Sequence, residues 1–298
     1  MSQSITAIPR EKFKDYPLLA RLLELQDIPE TMYISGELPD ITIDEYGRAT
    51  PRILTVVGSR SYTSYGKQAL EKLIGSLAGE NVIILSGLAL GIDGLSHITA
   101  LKNNITTIAI PGSGIDLRVI HPRTNLDIAQ EILIKHGALL SEFAPDTRPA
   151  KWTFAMRNRI MAALSDAVLL IEAREKSGTL ITARMALELG RDIGAVPGEI
   201  FNPSSFGTNE LIKNGAYLIS SSDDLYALLH LSKKEKENIA IDYSDDERKI
   251  LEILKEPTEK DLLMIQSSLS PEIFLMTLSS LEIKGVIEET FGEVRRIV

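Results

Sequence analysis

From about residue 52 the apolar positions of this chain follow one repeated phrase. A short β-branched or aliphatic run comes first, a Gly/Ser-rich turn follows, and a helical period closes it. "RILTVVGSR" leads into "SYGKQALEKLIGSLAG", "NVIILSGLALGID" into "GLSHITALKNN", and "ITTIAIPGSG" into "NLDIAQEILIKHG". The phrase continues with "ALLSEFAP" before "AKWTFAMRNRIMAALSD", "AVLLIEAREKSG" before "TLITARMALELG", "DIGAVPG" before "TNELIKNG", and "AYLISS" before "SDDLYALLHL". Continuous apolar strands alternating with amphipathic helices predict an α/β fold: a doubly wound, mostly parallel Rossmann-like sheet covered on both faces.

The pattern spans residues 51–231. Before it, residues 1–50 hold a short helix, "PLLARLLEL", and an irregular stretch, read as an N-terminal extension bracing the sheet. After it, residues 232–246 are charged and poor in large apolar side chains, as a linker is. Residues 247–298 give three short helical patterns and a hairpin turning at Phe291-Gly292. Three helices and a hairpin make a small winged-helix-like module.

Bulk composition narrows the class. A chain of 298 residues, 44% hydrophobic and 24% charged, suits an ordinary globular protein of about two domains. With no cysteine there is neither a disulfide framework nor a Cys-ligated metal site, which fits a reducing compartment. "MSQSITAIPREKFKDYP" lacks an apolar signal core, and no apolar run reaches membrane-spanning length, so a cytoplasmic protein without a membrane partner is expected. The net charge of −9 argues mildly against a nucleic-acid partner, although a cationic groove can sit on an acidic body.

In a parallel sheet the strand-to-helix turns emerge on one edge, where ligands bind. Those turns are Gly58-Ser59-Arg60, Ser86-Gly87 with Gly91 and Gly94, Pro111-Gly112-Ser113-Gly114, and Ser177-Gly178-Thr179. Glycine lets backbone approach a ligand, and each following helix offers free N–H groups and a positive dipole end to anions. Glycines in such turns also serve as plain tight-turn residues, but four turns on one edge exceed what a mononucleotide needs. Neither standard nucleotide loop is present. Gly66-Lys67 is followed by Gln68, with Ser61 five positions before Gly66, and the first strand ends in G-S-R-S-Y-T.

Basic residues gather at the same edge: Arg60, Lys151, Arg157, Arg159, Arg174 and Lys176. On a helical wheel Phe154, Arg157 and Asn158 share one face, while Met156, Ile160 and Ala163 share another suited to packing on the sheet. An aromatic ring beside a guanidinium and an amide suits single-stranded nucleic acid, where cations track the backbone and a ring stacks on a base. Trp152 is expected to pack as a core or staple residue, and Phe154 to act at the surface.

Taken together, the chain resembles the bacterial DNA-processing protein A family (DprA, also called Smf). The resemblance rests on "VVGSRSYTSYG", "LSGLALGIDGLSH", "TIAIPGSGID", "LLSEF", "RNRIMAALSDAVLLIEA", "SGTLITARMALELGRDIGAVPG" and "GTNELIKNGA", in that order over residues 52–230. "RNRI", "SGTLITA" and "VPG" at these spacings are specific as a set. The resemblance implies a Rossmann-like, homodimeric protein that binds and protects single-stranded DNA and loads the RecA recombinase onto it, chiefly in natural transformation. It implies no catalysis and no cofactor. Matched motif by motif, it places Gly58, Ser59, Arg60, Ser86, Gly87, Lys151 and Phe154 in the DNA-binding pocket. Arg157, Asn158 and Arg159 would support that pocket, with Ser177, Gly178 and Thr179 alongside.

Two departures from the family pattern, "PGSG" and the His121 of "IHP", are expected to lie away from the pocket. The C-terminal module resembles the family's winged helix, yet from residue 232 on it holds 10 Lys+Arg against 15 Asp+Glu, and its third helix has one cation, Lys284. Helices that read the major groove normally carry several basic or amide side chains. This module is therefore expected to serve protein contacts rather than to bind duplex DNA strongly.

The alternatives are a nucleotide hydrolase of a related Rossmann-like family and a sensor of free nucleotide. The phosphoribohydrolases resemble this chain around a Gly-Gly-x-Gly-Thr turn followed directly by a catalytic glutamate. Here Gly178-Thr179 is followed by Leu180-Ile181-Thr182, and the next acid is Glu188, so the positioned general acid/base is missing. A sensor would have little need of Lys151 with Phe154. Asp93 and His97 at i,i+4 lack a third ligand, so no metal is expected; they orient the Ser86-Gly87 loop or bond to each other. Glu142 and Glu172, each ending a strand at the crest, are read as pins for Arg157 or Arg159. His136 and His230 have no chemical company.

Overall fold

The computed structural model describes residues 4–232, 243–290 and 292–296. They divide into two compact units, Met1–Ser232 and Lys233–Val298. In the first, nine strands form one sheet: β1 (Ile5–Pro9), β2 (Thr31–Gly36), β3 (Arg52–Val57), β4 (Val82–Ser86), β5 (Thr107–Ala109), β6 (Ala138–Ser141), β7 (Ala167–Leu170), β8 (Asp192–Ala195) and β9 (Tyr217–Leu218). Their spatial order is β1-β2-β6-β5-β4-β3-β7-β8-β9. All neighbours from β6 to β9 are parallel. The helices that follow the parallel strands are α1 (Ser64–Gly75), α2 (Ile92–Lys102), α3 (Leu126–Ile134), α4 (Lys151–Leu164), α5 (Gly178–Glu188), α6 (Phe206–Lys213) and α7 (Ser222–Leu228).

The near-continuous apolar runs have their cause here. Side chains alternate across a strand, so a run without polar breaks fills both faces. Ile53 and Val57 of β3 join the core under α4 and α5, while Leu54 and Val56 join the opposite core with α1 and α7. Val168 and Leu170 of β7 divide from Ala167 and Leu169 in the same way.

The N-terminal extension is more regular than its sequence suggests. β1 and β2 extend the sheet in antiparallel fashion, β2 pairing with β6 and β1 forming the edge. An antiparallel addition needs no helical crossover, so no strand–helix phrase announces it. Arg21 and Asp166 tie this segment to the sheet: Arg21 donates to an Asp166 oxygen at 3.1 Å, and the same carboxylate accepts from the backbone N–H groups of Ala49 and Ile53 at 3.0 and 2.7 Å.

The second unit contains α8 (Asp245–Ile253), β10 (Thr258–Glu259), α9 (Lys260–Ser267), α10 (Pro271–Ile283), β11 (Ile287–Thr290) and β12 (Glu293–Arg296). Its strands pair antiparallel in the order β10-β12-β11. Ile250, Leu263, Phe274, Leu278 and Leu281 form its own core. Most of the expected charged linker and the turn residue Phe291 lie outside the described residues. Among the described residues no single helix is long and apolar enough to cross a membrane.

Candidate functional site

The loops after β3 and β4 and the first turns of α4 and α5 surround one open pocket of about 310 Å³. It lies where the strand order reverses, because β3 pairs with β4 on one side and with β7 on the other. Crossover connections diverge at such a point and leave a crevice at the strand ends. Gly58, Arg60, Lys151, Phe154, Arg157, Asn158, Ser177, Gly178 and Thr179 line it, together with Asp93 and Thr182.

Two layers make up this wall. The outer layer is cationic and aromatic. Arg60 and Lys151 are exposed, Phe154 is half-buried, and the Arg60 guanidinium carbon stands 5.4 Å from the Phe154 ring centre. Neither α4 nor α5 has an acid in its first turn, so both helix dipoles keep their positive ends for an anion. Ser177 caps α5, its hydroxyl accepting from the Thr179 N–H at 3.2 Å; the Thr179 hydroxyl donates to the Gly58 carbonyl at 3.2 Å. A Cβ at Gly178 would meet open space, so the backbone of this turn is accessible.

The inner layer is rigid. Arg157 is buried and donates through Nη1 to the carbonyls of Gly87 and Ile110, and through Nε to Asn158 Oδ1 at 3.0 Å. Its Nη2 lies 3.5 Å from Asp93 Oδ2. Burial lowers the Arg157 pKa and raises that of Asp93, and the attraction between the two opposes each shift. One buried side chain therefore ties α4, α2 and the turns after β4 and β5 together. Thr153 adds a further tie, its hydroxyl accepting from the Ala150 N–H at 2.9 Å and lying 2.6 Å from the Gly112 carbonyl.

These contacts correct several expectations. Arg157 and Asn158 do not share an exposed face with Phe154: both are buried, because α4 is packed nearly all round from Arg157 onward. Ser86 is buried inside β4 and donates to the Val56 carbonyl at 2.6 Å, and Gly87 lies directly against Arg157, where a Cβ would overlap the guanidinium. Neither lines the pocket. Ser59 bonds within its own turn, its hydroxyl donating to the Ser61 carbonyl at 2.7 Å. Arg159 is bound to Glu142 and stands 3.7 Å from Asp27, outside the pocket lining.

Of the two crest glutamates, Glu142 thus pins an arginine. Glu172 instead accepts from the backbone N–H and hydroxyl of Thr63, the cap of α1. Asp93 pairs with Arg157 rather than with His97, whose Nδ1 is 2.7 Å from the Thr107 hydroxyl. His136 and His230 each meet one exposed carboxylate, Glu37 and Asp192. Trp152 is not core but 57% exposed, its ring edge-on to Phe143 at 5.4 Å.

Neither departing segment is among the pocket-lining residues, as expected, but both border the Phe154 ring, which is. Gly112 lies beneath Phe154, where a Cβ would overlap the ring, and the His121 ring approaches Phe154 edge-on at 6.3 Å. The Gly112 turn was visible as a crest turn. Nothing local in the sequence connects it or His121 to Phe154, because that contact is made across the β5 and β6 loops.

A family model described as DNA recombination-mediator protein A matches residues 9–230. The DNA processing protein DprA of Bacillus subtilis (strain 168) is 41% identical over 224 residues, covering 75% of this chain and 71% of the relative. Among solved structures, DNA processing protein A from Streptococcus pneumoniae matches with a TM-score of 0.65 at 36% identity, over 75% of this chain and 74% of that one. DNA processing protein A from Helicobacter pylori, whose structure concerns its own single-stranded DNA binding mode, matches with a TM-score of 0.61 at 30% identity. That match covers 76% of this chain and 96% of that one.

Proposed function

The chain belongs to the DNA recombination-mediator protein A family, and from that premise we propose that it is a DNA-processing protein that binds single-stranded DNA at the crest pocket and loads a RecA-type recombinase onto it. The observation that carries this reading is the union of Arg60, Lys151 and Phe154 with two acid-free helix N-termini around one open pocket. Cations and backbone N–H groups hold successive phosphates, and Phe154 stacks on a base. Such stacking contributes about 1–3 kcal/mol per base and is tolerant of sequence.

Gly58, Arg60, Lys151, Phe154, Ser177, Gly178 and Thr179 are assigned to contact. Arg157, Asn158, Ser86 and Gly87 form the support beneath, and Arg159 with Glu142 braces α4. The role is binding without catalysis: the carboxylate among the pocket-lining residues is Asp93, which is buried and held by Arg157. A homodimer fits the open β9 edge, where Tyr217 and Leu218 are about half exposed and unpaired on one side. The C-terminal unit is assigned to protein contacts as a winged-helix-like module. Its α10 presents Met276 and Ile283 to solvent, and Lys284 is held by Glu247 at 2.7 Å.

Fluorescence anisotropy of a labelled single-stranded oligonucleotide tests the reading, with Phe154→Ala and Arg60→Ala beside the wild type. Binding that collapses in both variants supports the pocket. A protein that ignores the strand at low salt but takes up a free nucleotide is the sensor or hydrolase instead.

A further inference from the structure

The β7–α5 loop carries Arg174, Glu175 and Lys176, all exposed, directly before the Ser177 cap of α5. Opposite, the loop after β8 holds Ile200 and Phe201 out in solvent, 83% and 91% exposed, and Phe206 opens α6 at 47%. Together they border a second open concavity, of about 580 Å³. A fully exposed phenylalanine beside another half-exposed one is an apolar patch without a packing role, the kind of surface that marks a binding site.

The chemistry repeats that of the first pocket. There two cations and an aromatic ring line one pocket at a β–α turn; here Arg174 and Lys176 line one concavity with Phe201 at the next turns along the same crest. The two places share the β7–α5 loop, which ends in Ser177 of the first pocket. We propose that this concavity is a second single-strand subsite, in which Phe201 stacks on a nucleobase and Arg174 and Lys176 hold the backbone. The proposal rests on the single-stranded DNA reading above and lengthens its track toward β8. Adjacent strands are about 4.8 Å apart, so the two steps from β3 to β8 span roughly 10 Å, which an unstacked strand covers in about one or two further nucleotides. Glu175 sits among the cations and weakens the grip on phosphate. Its continuity with the first pocket and its pair of cations favour a nucleic-acid strand over an apolar protein partner.

The test is anisotropy of the full chain with oligo-dT of increasing length, comparing wild type, Phe201→Ala, Glu175→Gln and Phe154→Ala. Sedimentation velocity of wild type and Phe201→Ala accompanies it. Phe201 packs on nothing that its removal would unfold. For strands long enough to reach β8, Phe201→Ala is expected to bind roughly tenfold more weakly, within the range of one lost base stack, and Glu175→Gln more tightly. On the shortest strand that binds, both are expected to match wild type, while Phe154→Ala is weak at every length. If Phe201→Ala equals wild type at every length while Phe154→Ala stays weak, the second subsite is refuted and the first pocket stands. If wild type fails to bind, or Phe154→Ala is harmless, the underlying reading falls with it. If Phe201→Ala changes the oligomeric state and leaves DNA binding intact, the patch belongs to a second copy and the proposal is overturned.

Discussion

Arg157 and Arg60 lie almost a hundred residues apart in sequence and line one pocket, yet they do opposite work. Arg157 is a buried tie whose removal leaves the buried Asp93 without its ion-pair partner. Breaking such a pair costs about 3–5 kcal/mol. Arg157→Ala is therefore expected to lower Tm by roughly 10 °C for a unit of this size. Arg60→Ala should leave Tm nearly unchanged and remove most of the single-strand affinity. Thermal denaturation beside anisotropy separates the two, and a reversed pattern would sink the division into two layers. His97 offers a second check. Burial first, and then the neighbouring Arg157 charge, hold its pKa at about 3 against an ordinary 6.5. The folded state thus binds this proton less readily than the unfolded chain. The stability contributed is complete above pH 6.5 and is lost as pH falls from there toward 3. Urea midpoints at pH 7.5 and 5 should fall further for wild type than for His97→Gln; equal slopes would mean that His97 is not the titrating group. The family resemblance assigned Arg157 a supporting role, but its burial and its pairing with Asp93 were not legible in the sequence, where the helical wheel put it on an exposed face. A helical wheel gives the angle between side chains but not which neighbours surround them.

At the scale of elements, helix N-termini are where folding and binding want different things. An acid in the first turn normally stabilises a helix by about 0.3–1 kcal/mol. The first turn of α5 has none, and Gly178 there has room for a side chain. Gly178→Asp is expected to hold or slightly raise Tm while weakening single-strand binding, most visibly at low salt. A loss of stability with affinity preserved would show that the turn serves folding alone. The strands and helices of the parallel region were legible because each buries two faces or one stripe, which leaves periods of two and of about 3.6 in the sequence. β1 and β2 were not. β2 is fixed by its partner β6, more than a hundred residues away, and β1 is the edge strand that pairs onto β2.

Across the whole molecule, a net charge of −9 coexists with a cationic crest. If the strand is met at the crest alone, as proposed, log affinity should fall linearly with log salt, by about 0.7 for each phosphate neutralised on a single strand. A duplex of equal length should bind much more weakly, since Phe154 has no unstacked base to meet and α10 brings no free row of cations. Equal affinity for duplex and single strand would contradict both statements. The sequence by itself determined the doubly wound sheet, the edge on which its turns emerge and the residue types gathered there, because these follow from local periodicity and turn chemistry. Only the tertiary structure decided which arginine is structural and which is free, that Gly112 and His121 border Phe154, and that the N-terminal segment completes the sheet. Burial and charge pairing depend on neighbours brought together from distant parts of the chain, and no local pattern encodes that choice.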